Sequence, residues 1–191
     1  MRLVILITLL LCVGFSASAD SPARAAPYVV SSGAVYFTMV PIENAAYLPG
    51  LRHGDGIGTA YRLNADGSST KLWLVKGWYA FETYISIDGH YLVRMGDWAN
   101  GAEASSDDPA IYFYADGNLL KQYSTADLIK DPKNVIPTAS HYFWRGYGSE
   151  KPSIRYNGRF NLTTTEDITY VFDIGTGDII EEKASPAGER P

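Results

Sequence analysis

The chain has 191 residues, of which 46% are hydrophobic, 13% aromatic and 19% charged, with a formal net charge of −5. Its 18 Gly, 10 Pro, 14 Tyr, 7 Phe and 4 Trp exclude a disordered chain, a coiled coil and a collagen, each of which needs a different composition. The acidic balance argues against a nucleic-acid partner, because binding phosphate needs a surplus of Lys and Arg on one face.

In chain order, residues 1–19 read first as a signal peptide. Arg2 gives the positive start, Leu3 to Phe15 is apolar apart from Thr8, and Ala17-Ser18-Ala19 supplies a small-residue cleavage site. This run is shorter than the ~20 residues of a bilayer span, and no second stretch like it follows. The mature chain is therefore expected to have no membrane span and to be exported, to a periplasm or the extracellular space. Cleavage before Asp20 removes Arg2 from the 16 basic residues and none of the 21 acidic ones, so the charge moves from −5 to −6. It also removes Cys12, the single cysteine. No disulfide, thiolate nucleophile or thiolate metal ligand then remains, and the fold must rest on its core.

Residues 20–183 read as a single all-β domain of about twelve short antiparallel strands, judged from aromatic and β-branched runs punctuated by glycine turns. Three turns precede such strands, at Ser32-Gly33, Asp88-Gly89 and Asn157-Gly158. Each is followed by a second Gly-centred hairpin, at Asp66-Gly67, Asp116-Gly117 and Gly175-Thr176-Gly177. The chain parses into three modules of two hairpins each, about 28–78, 79–138 and 139–182. One short helix is predicted near 124–130, with Ser124 or Thr125 as its cap and Asp131-Pro132 as its stop. The tail 184–191 has no apolar anchor and reads as disordered.

Ser86-Ile87-Asp88-Gly89-His90-Tyr91-Leu92-Val93 resembles the S-x-D-G-x-Y-L turn of bacterial β-propeller blades of the WD40-like and TolB-like kinds. Phe113 to Leu120 and Val171 to Ile180 resemble the outer hairpin of such blades. The resemblance implies blade-like modules, and three of these fall short of the four to eight that close a ring. It leaves an incomplete propeller-like or open β assembly, a six-bladed homodimer ring, or a sandwich of the same hairpins.

The loops between the hairpins of a module differ in length: Pro41 to Gly58, Gly96 to Pro109, and only about Thr163 to Asp167. Two long loops over a rigid scaffold are where ligand-binding residues tend to lie. They nominate Arg52, His53, Asp55, Asp97, Trp98, Asp107 and Asp108. Gly54-Asp55-Gly56-Ile57-Gly58 superficially suggests a phosphate loop, but the strand after it supplies no helix N-terminus, so it reads as a flexible turn. His53, His90 and His141 lack metal-ligand spacing, and Asn64 to Ser68 lacks the closing Glu of a calcium loop, so no metal or other cofactor is expected. Gly146-Tyr147-Gly148-Ser149-Glu150 has the wrong order for a nucleophile elbow, and no catalytic residue stands out. Asn161-Leu162-Thr163 matches the glycosylation sequon within a predicted strand, which argues against its use. The run His141 to Arg145 puts alternate residues on opposite faces, one of them free to meet a ligand or partner.

These features lead to an exported, non-enzymatic binding or interaction protein that offers its long loops to a protein or envelope component. One alternative is a carbohydrate-binding or carbohydrate-modifying protein using Trp98 with Asp97, Asp107 or Asp108. Another is a structural protein of the cell envelope.

Overall fold

The structure is a computed structural model that describes residues 24–42, 55–96, 98–146 and 151–184. The signal segment 1–19, Arg52, His53, Asp97 and the tail beyond residue 184 lie outside the described residues. The chain is all-β, with one short helix and four antiparallel sheets.

The first sheet is a four-stranded meander of β1 (Tyr28–Ser32), β2 (Val35–Pro41), β3 (Gly56–Leu63) and β4 (Ser69–Lys76). The second repeats this order with β5 (Thr83–Ile85), β6 (Tyr91–Met95), β7 (Pro109–Ala115) and β8 (Asn118–Ser124). The last has β11 (Arg159–Thr163), β12 (Ile168–Asp173) and β13 (Ile179–Ala184), with Ile154 bridged to Phe160 where a fourth strand would lie. A two-stranded ribbon of β9 (Ile136–Pro137) and β10 (Tyr142–Phe143) precedes it. The sheets do not close into a barrel or ring among the described residues.

Three expectations are corrected here. The two hairpins of a module are not separate: Val35 to Pro41 pairs with Arg62 to Gly56 across the long loop, and Tyr91 to Met95 pairs with Ala115 to Ile111. Gly56 and Gly58 are strand residues and not part of a turn. A Cβ on Gly58 would come within 2.3 Å of Phe37 Cζ and 2.7 Å of Val75 Cγ2, so this strand needs glycine for close approach. Ala184 ends β13, where it pairs with Ile168, and so does not belong to the tail.

The helix α1 (Thr125–Leu128) forms where its cap predicts. Ser124 accepts from the Asp127 N–H while the Asp127 carboxylate accepts from the Ser124 N–H, a reciprocal capping box. Ile129 leaves the helix in an extended conformation.

The core lies between neighbouring sheets. Val35, Phe37 and Met39 of β2 and Trp73 and Val75 of β4 pack with Leu92 and Tyr114 of the second sheet. From the other face of that sheet, Val93, Met95, Ile111 and Phe113 pack with Phe160, Leu162, Tyr170 and Phe172 of the third. The period-two alternation of β6 thus sends Leu92 one way and Val93 the other, which makes the middle sheet buried on both faces.

The glycines of the six predicted turns, at 33, 67, 89, 117, 158 and 177, all have positive φ, between +60° and +83°. Several of these turns touch: Gly33 approaches Ile87, and Arg62 donates to the Asp88 carbonyl oxygen at 2.8 Å. One surface groove is bordered by Gly33, Asp88, Asn157 and Gly175. The turns therefore share one end of the sheets, and the long loops emerge at the other.

Candidate functional site

At the long-loop end, two adjoining cavities of about 600 and 280 Å³ share Phe81, Glu82, Phe143 and Arg145 as a common wall. All three modules contribute. The larger is bounded by Tyr28 and Val30 of β1, Thr83 and Tyr84 of β5, and Lys151, Pro152 and Leu162 of the last module. Met95, Trp98, His141 and Trp144 complete the smaller.

The whole segment 141–145 lines the smaller cavity. Tyr142 and Trp144 are buried, whereas Phe143 between them remains 37% exposed. Tyr142 is anchored because its hydroxyl donates to Asp108 Oδ2 at 2.7 Å and lies 2.7 Å from Thr125 Oγ1. The following backbone runs beside the end of β11, with Gly146 N–H donating to the Thr163 carbonyl at 3.0 Å and Arg145 bridged to Thr164. Phe143 and Arg145 are thus held by backbone pairing, Phe143 between the buried Tyr142 and Trp144 and Arg145 beside the buried Trp144.

The charged floor is neutral in sum. Arg145 Nη1 lies 2.8 Å from Glu82 Oε2, and the Tyr84 hydroxyl donates to Glu82 Oε1. Burial pushes the Tyr84 hydroxyl well above its ordinary pKa, and its bond to Glu82 adds to the shift. Tyr28 is pushed up to about 12, chiefly by burial, with its hydroxyl 3.1 Å from Thr83 Oγ1. Both tyrosines are neutral hydrogen-bonding groups at physiological pH.

The walls are aromatic. Phe81, 49% exposed, meets Tyr79 edge to face with centroids 5.0 Å apart. Trp98 lies over His141 with centroids 3.8 Å apart, and His141 meets Phe143 edge to face at 4.5 Å. The Trp98 indole N–H donates to the Ser140 carbonyl at 3.3 Å, which ties the second module's long loop to the third module.

Of the described nominees from the long loops, only Trp98 lines the cleft. The Asp55 carbonyl accepts from Ile42 N–H at 2.8 Å and closes the base of the first loop. Asp107 is exposed, its N–H donating to Ser105 Oγ at 3.1 Å. Asp108 is buried, and the Tyr142 hydroxyl and the Asn100 N–H both donate to it. It is a structural acceptor. Phe81, Glu82 and Tyr84 were missed by the loop argument, since they sit at the start of β5. The signal that could have found them is the run Trp78-Tyr79-Ala80-Phe81 just before β5, with three aromatic residues in four.

Among the described residues no group of three or more His, Cys, Asp or Glu side chains gathers as a metal site. No helix among them is long and apolar enough to cross a membrane. No family model and no curated protein sequence matches the chain.

Proposed function

We propose that the protein is an exported binding module: three blade-like sheets stand side by side as an open stack, and a ligand occupies the cleft across their inner edges. The observation that carries this reading is the convergence of half-exposed Phe81 and Phe143, with Trp98, around one charged pair drawn from two modules. Concave, largely apolar sites with a few fixed polar groups are where ligands bind. Glu82 is already held by Arg145 and the Tyr84 hydroxyl, one partner on each oxygen, which suits a fixed polar group of a binding site. Export rests on the signal-like segment 1–19.

An open stack is favoured over a two-chain ring by the outer face of the third sheet. In β2 and β6 the side facing the next sheet is apolar, carrying Val35, Phe37 and Met39 or Val93 and Met95. The corresponding side of β11 carries Arg159, Asn161 and Thr163, bonded to Asp173 and Thr169 of β12. A polar outer face is how stacked repeats end.

Tryptophan fluorescence, with Trp98 and Trp144 lining the cleft, tests the reading when panels of short peptides and oligosaccharides are titrated. A saturable change lost in Phe143→Ala supports it. Saturable binding untouched by Phe143→Ala moves the site elsewhere, and no change with either panel overturns it.

A further inference from the structure

We propose that the groove at the turn end is a second binding site, one that takes the sugar rings of a saccharide. It lies at the opposite end of the sheets from the cleft and does not rest on the reading above. Turns of all three modules border its volume of about 460 Å³: Gly33 from the first, Ile87 and Asp88 from the second, and Tyr156, Asn157 and Gly175 from the third. Two of these turns are built alike. In Ser86-Ile87-Asp88-Gly89 and in Arg155-Tyr156-Asn157-Gly158 the glycine N–H donates to the first residue's carbonyl, at 3.0 Å in both. The second residue of each turn meets different surroundings. Ile87 reaches the first module's turn, since a Cβ on Gly33 would stand 3.2 Å from its Cγ1. Tyr156 is 95% exposed, so its ring borders the groove almost entirely in water. An aromatic face left wet gains free energy when an apolar surface covers it.

The second observation is the set of polar groups beside that ring. Asp88 is fixed through Oδ1, which accepts from Ser86 Oγ at 2.5 Å and from the His90 N–H at 3.0 Å. Its Oδ2, the Tyr91 hydroxyl and the Asn157 side-chain amide, all at the groove, make no hydrogen bond among the described residues. Asp173, by contrast, is committed, one oxygen to the Gly175 N–H at 2.8 Å and the other to Arg159 at 2.7 Å. The groove thus offers a carboxylate acceptor, a hydroxyl that gives and takes, and an amide that does both. A sugar ring carries the matching surfaces in one unit. Its hydroxyls each donate and accept, and need such partners when they lose water, while its C–H face is apolar and flat enough to lie on an aromatic ring. The two requirements meet here because Tyr156 and Asn157 are neighbours in one turn and Asp88 stands in the equivalent turn of the adjoining module.

The test titrates tetrasaccharides of β-linked glucose, β-linked N-acetylglucosamine and α-linked mannose by calorimetry and saturation-transfer NMR, with a mixture of hexapeptides beside them. Saturable binding of at least one saccharide is expected. Tyr156→Ala and Asp88→Asn should each weaken it by about ten-fold or more, whereas Tyr156→Phe, which keeps the ring, should retain it. Phe143→Ala, in the cleft at the other end of the sheets, should leave it unchanged. No saturable binding of any of the three saccharides overturns the proposal. Saccharide binding left intact by Tyr156→Ala or by Asp88→Asn overturns the assignment to the groove, and its loss in Phe143→Ala places it in the cleft. Tyr156-dependent binding of the peptides alone keeps the groove and overturns the saccharide class. Tyr156 is almost fully exposed, and Asn keeps the Oδ1 acceptor of Asp88, so neither substitution empties the core or opens the turn.

Discussion

The indole N–H of Trp73 donates to the carbonyl oxygen of Gly89 over 2.6 Å, inside the core between the first two sheets. Gly89 has a positive φ of +80°, and a Cβ there would stand 2.5 Å from Leu72 Cδ1. One sheet's outer strand therefore grips the first turn of the next, and the contact is both polar and close-packed. Trp73→Phe keeps most of the apolar volume but leaves the Gly89 carbonyl buried without its donor, at a cost of about 1–3 kcal/mol. Trp73→Ala is expected to cost about 3–5 kcal/mol through the cavity it leaves. Urea unfolding checks both, with a lower midpoint and an unchanged slope as the expected result.

Gly58→Ala is expected to destabilise by about 1–3 kcal/mol, because its methyl enters space already held by Phe37 and Val75. Trimming the obstacle distinguishes this cause from a backbone effect. In a Phe37→Leu background the same substitution should cost measurably less, and a double-mutant cycle reads the difference. Equal costs in the two backgrounds would rule out the steric explanation.

That glycine shows where the sequence was legible and where it was not. The turns at Gly33, Gly67, Gly89, Gly117, Gly158 and Gly177 and the Ser124 cap were readable because turn and cap chemistry is settled within four residues. Gly58 looked like a turn residue because its reason, Phe37, lies on another strand. The anchoring role of Asp108 was hidden for the same reason: its donor Tyr142 is 34 residues away. Pairing of β2 with β3 across a long loop was hidden by the same non-locality, since no local preference announces it. The cleft was the least legible feature, as Tyr28, Glu82 and Phe143 come from three modules and meet only once the sheets stack.

Tyr142 links the helix to the cleft and sets an alkaline limit. Burial raises its hydroxyl from 10.0 to about 12, and the hydrogen bond to Asp108 adds to this. A raised folded-state pKa contributes stability that is complete below pH 10 and is lost as pH rises through about 12. Tyr28, also raised to about 12, acts in the same window. Tyr142→Phe is expected to flatten the fall of stability above pH 10 and, by stripping Asp108 of a donor, to cost about 1–3 kcal/mol at neutral pH. Denaturation midpoints measured from pH 7 to pH 11 give both effects in one series.

Glu166 sets the acid limit of the last module. Its carboxylate accepts from the N–H groups of Lys130 and Asp131, at 2.7 and 2.9 Å, and from Asn134 Nδ2 at 3.0 Å. Desolvation acts upward, but these hydrogen bonds and the Lys130 charge outweigh it and hold the pKa below 4.5. A depressed folded-state pKa contributes stability present above 4.5 and lost as pH falls below it. Glu166→Ala is expected to cost about 1 kcal/mol at neutral pH, the low end for a charged acceptor in a solvent-screened place. The difference from the parent protein should shrink as pH drops from 5 to 3. A constant gap across that range would show that the side chain acts by packing instead.

The polar outer face of the third sheet gives the sharpest test of how the stack ends. Asn161 has an enclosed Oδ1 with no hydrogen-bond partner, flanked by the Arg159–Asp173 and Thr163–Thr169 pairs. Asn161→Val removes an unsatisfied acceptor and suits a strand, so the monomer should be as stable as the parent or more so, by about 1 kcal/mol. Combined with Thr163→Val it also gives this half-buried side the apolar character that β2 and β6 show there, enlarging the apolar surface of the third sheet. Light scattering should then report a higher mean mass than the parent at equal concentration, rising with concentration. If the parent already forms a stable dimer that these two substitutions disrupt, the polar face is an interface and the stack continues into a second chain.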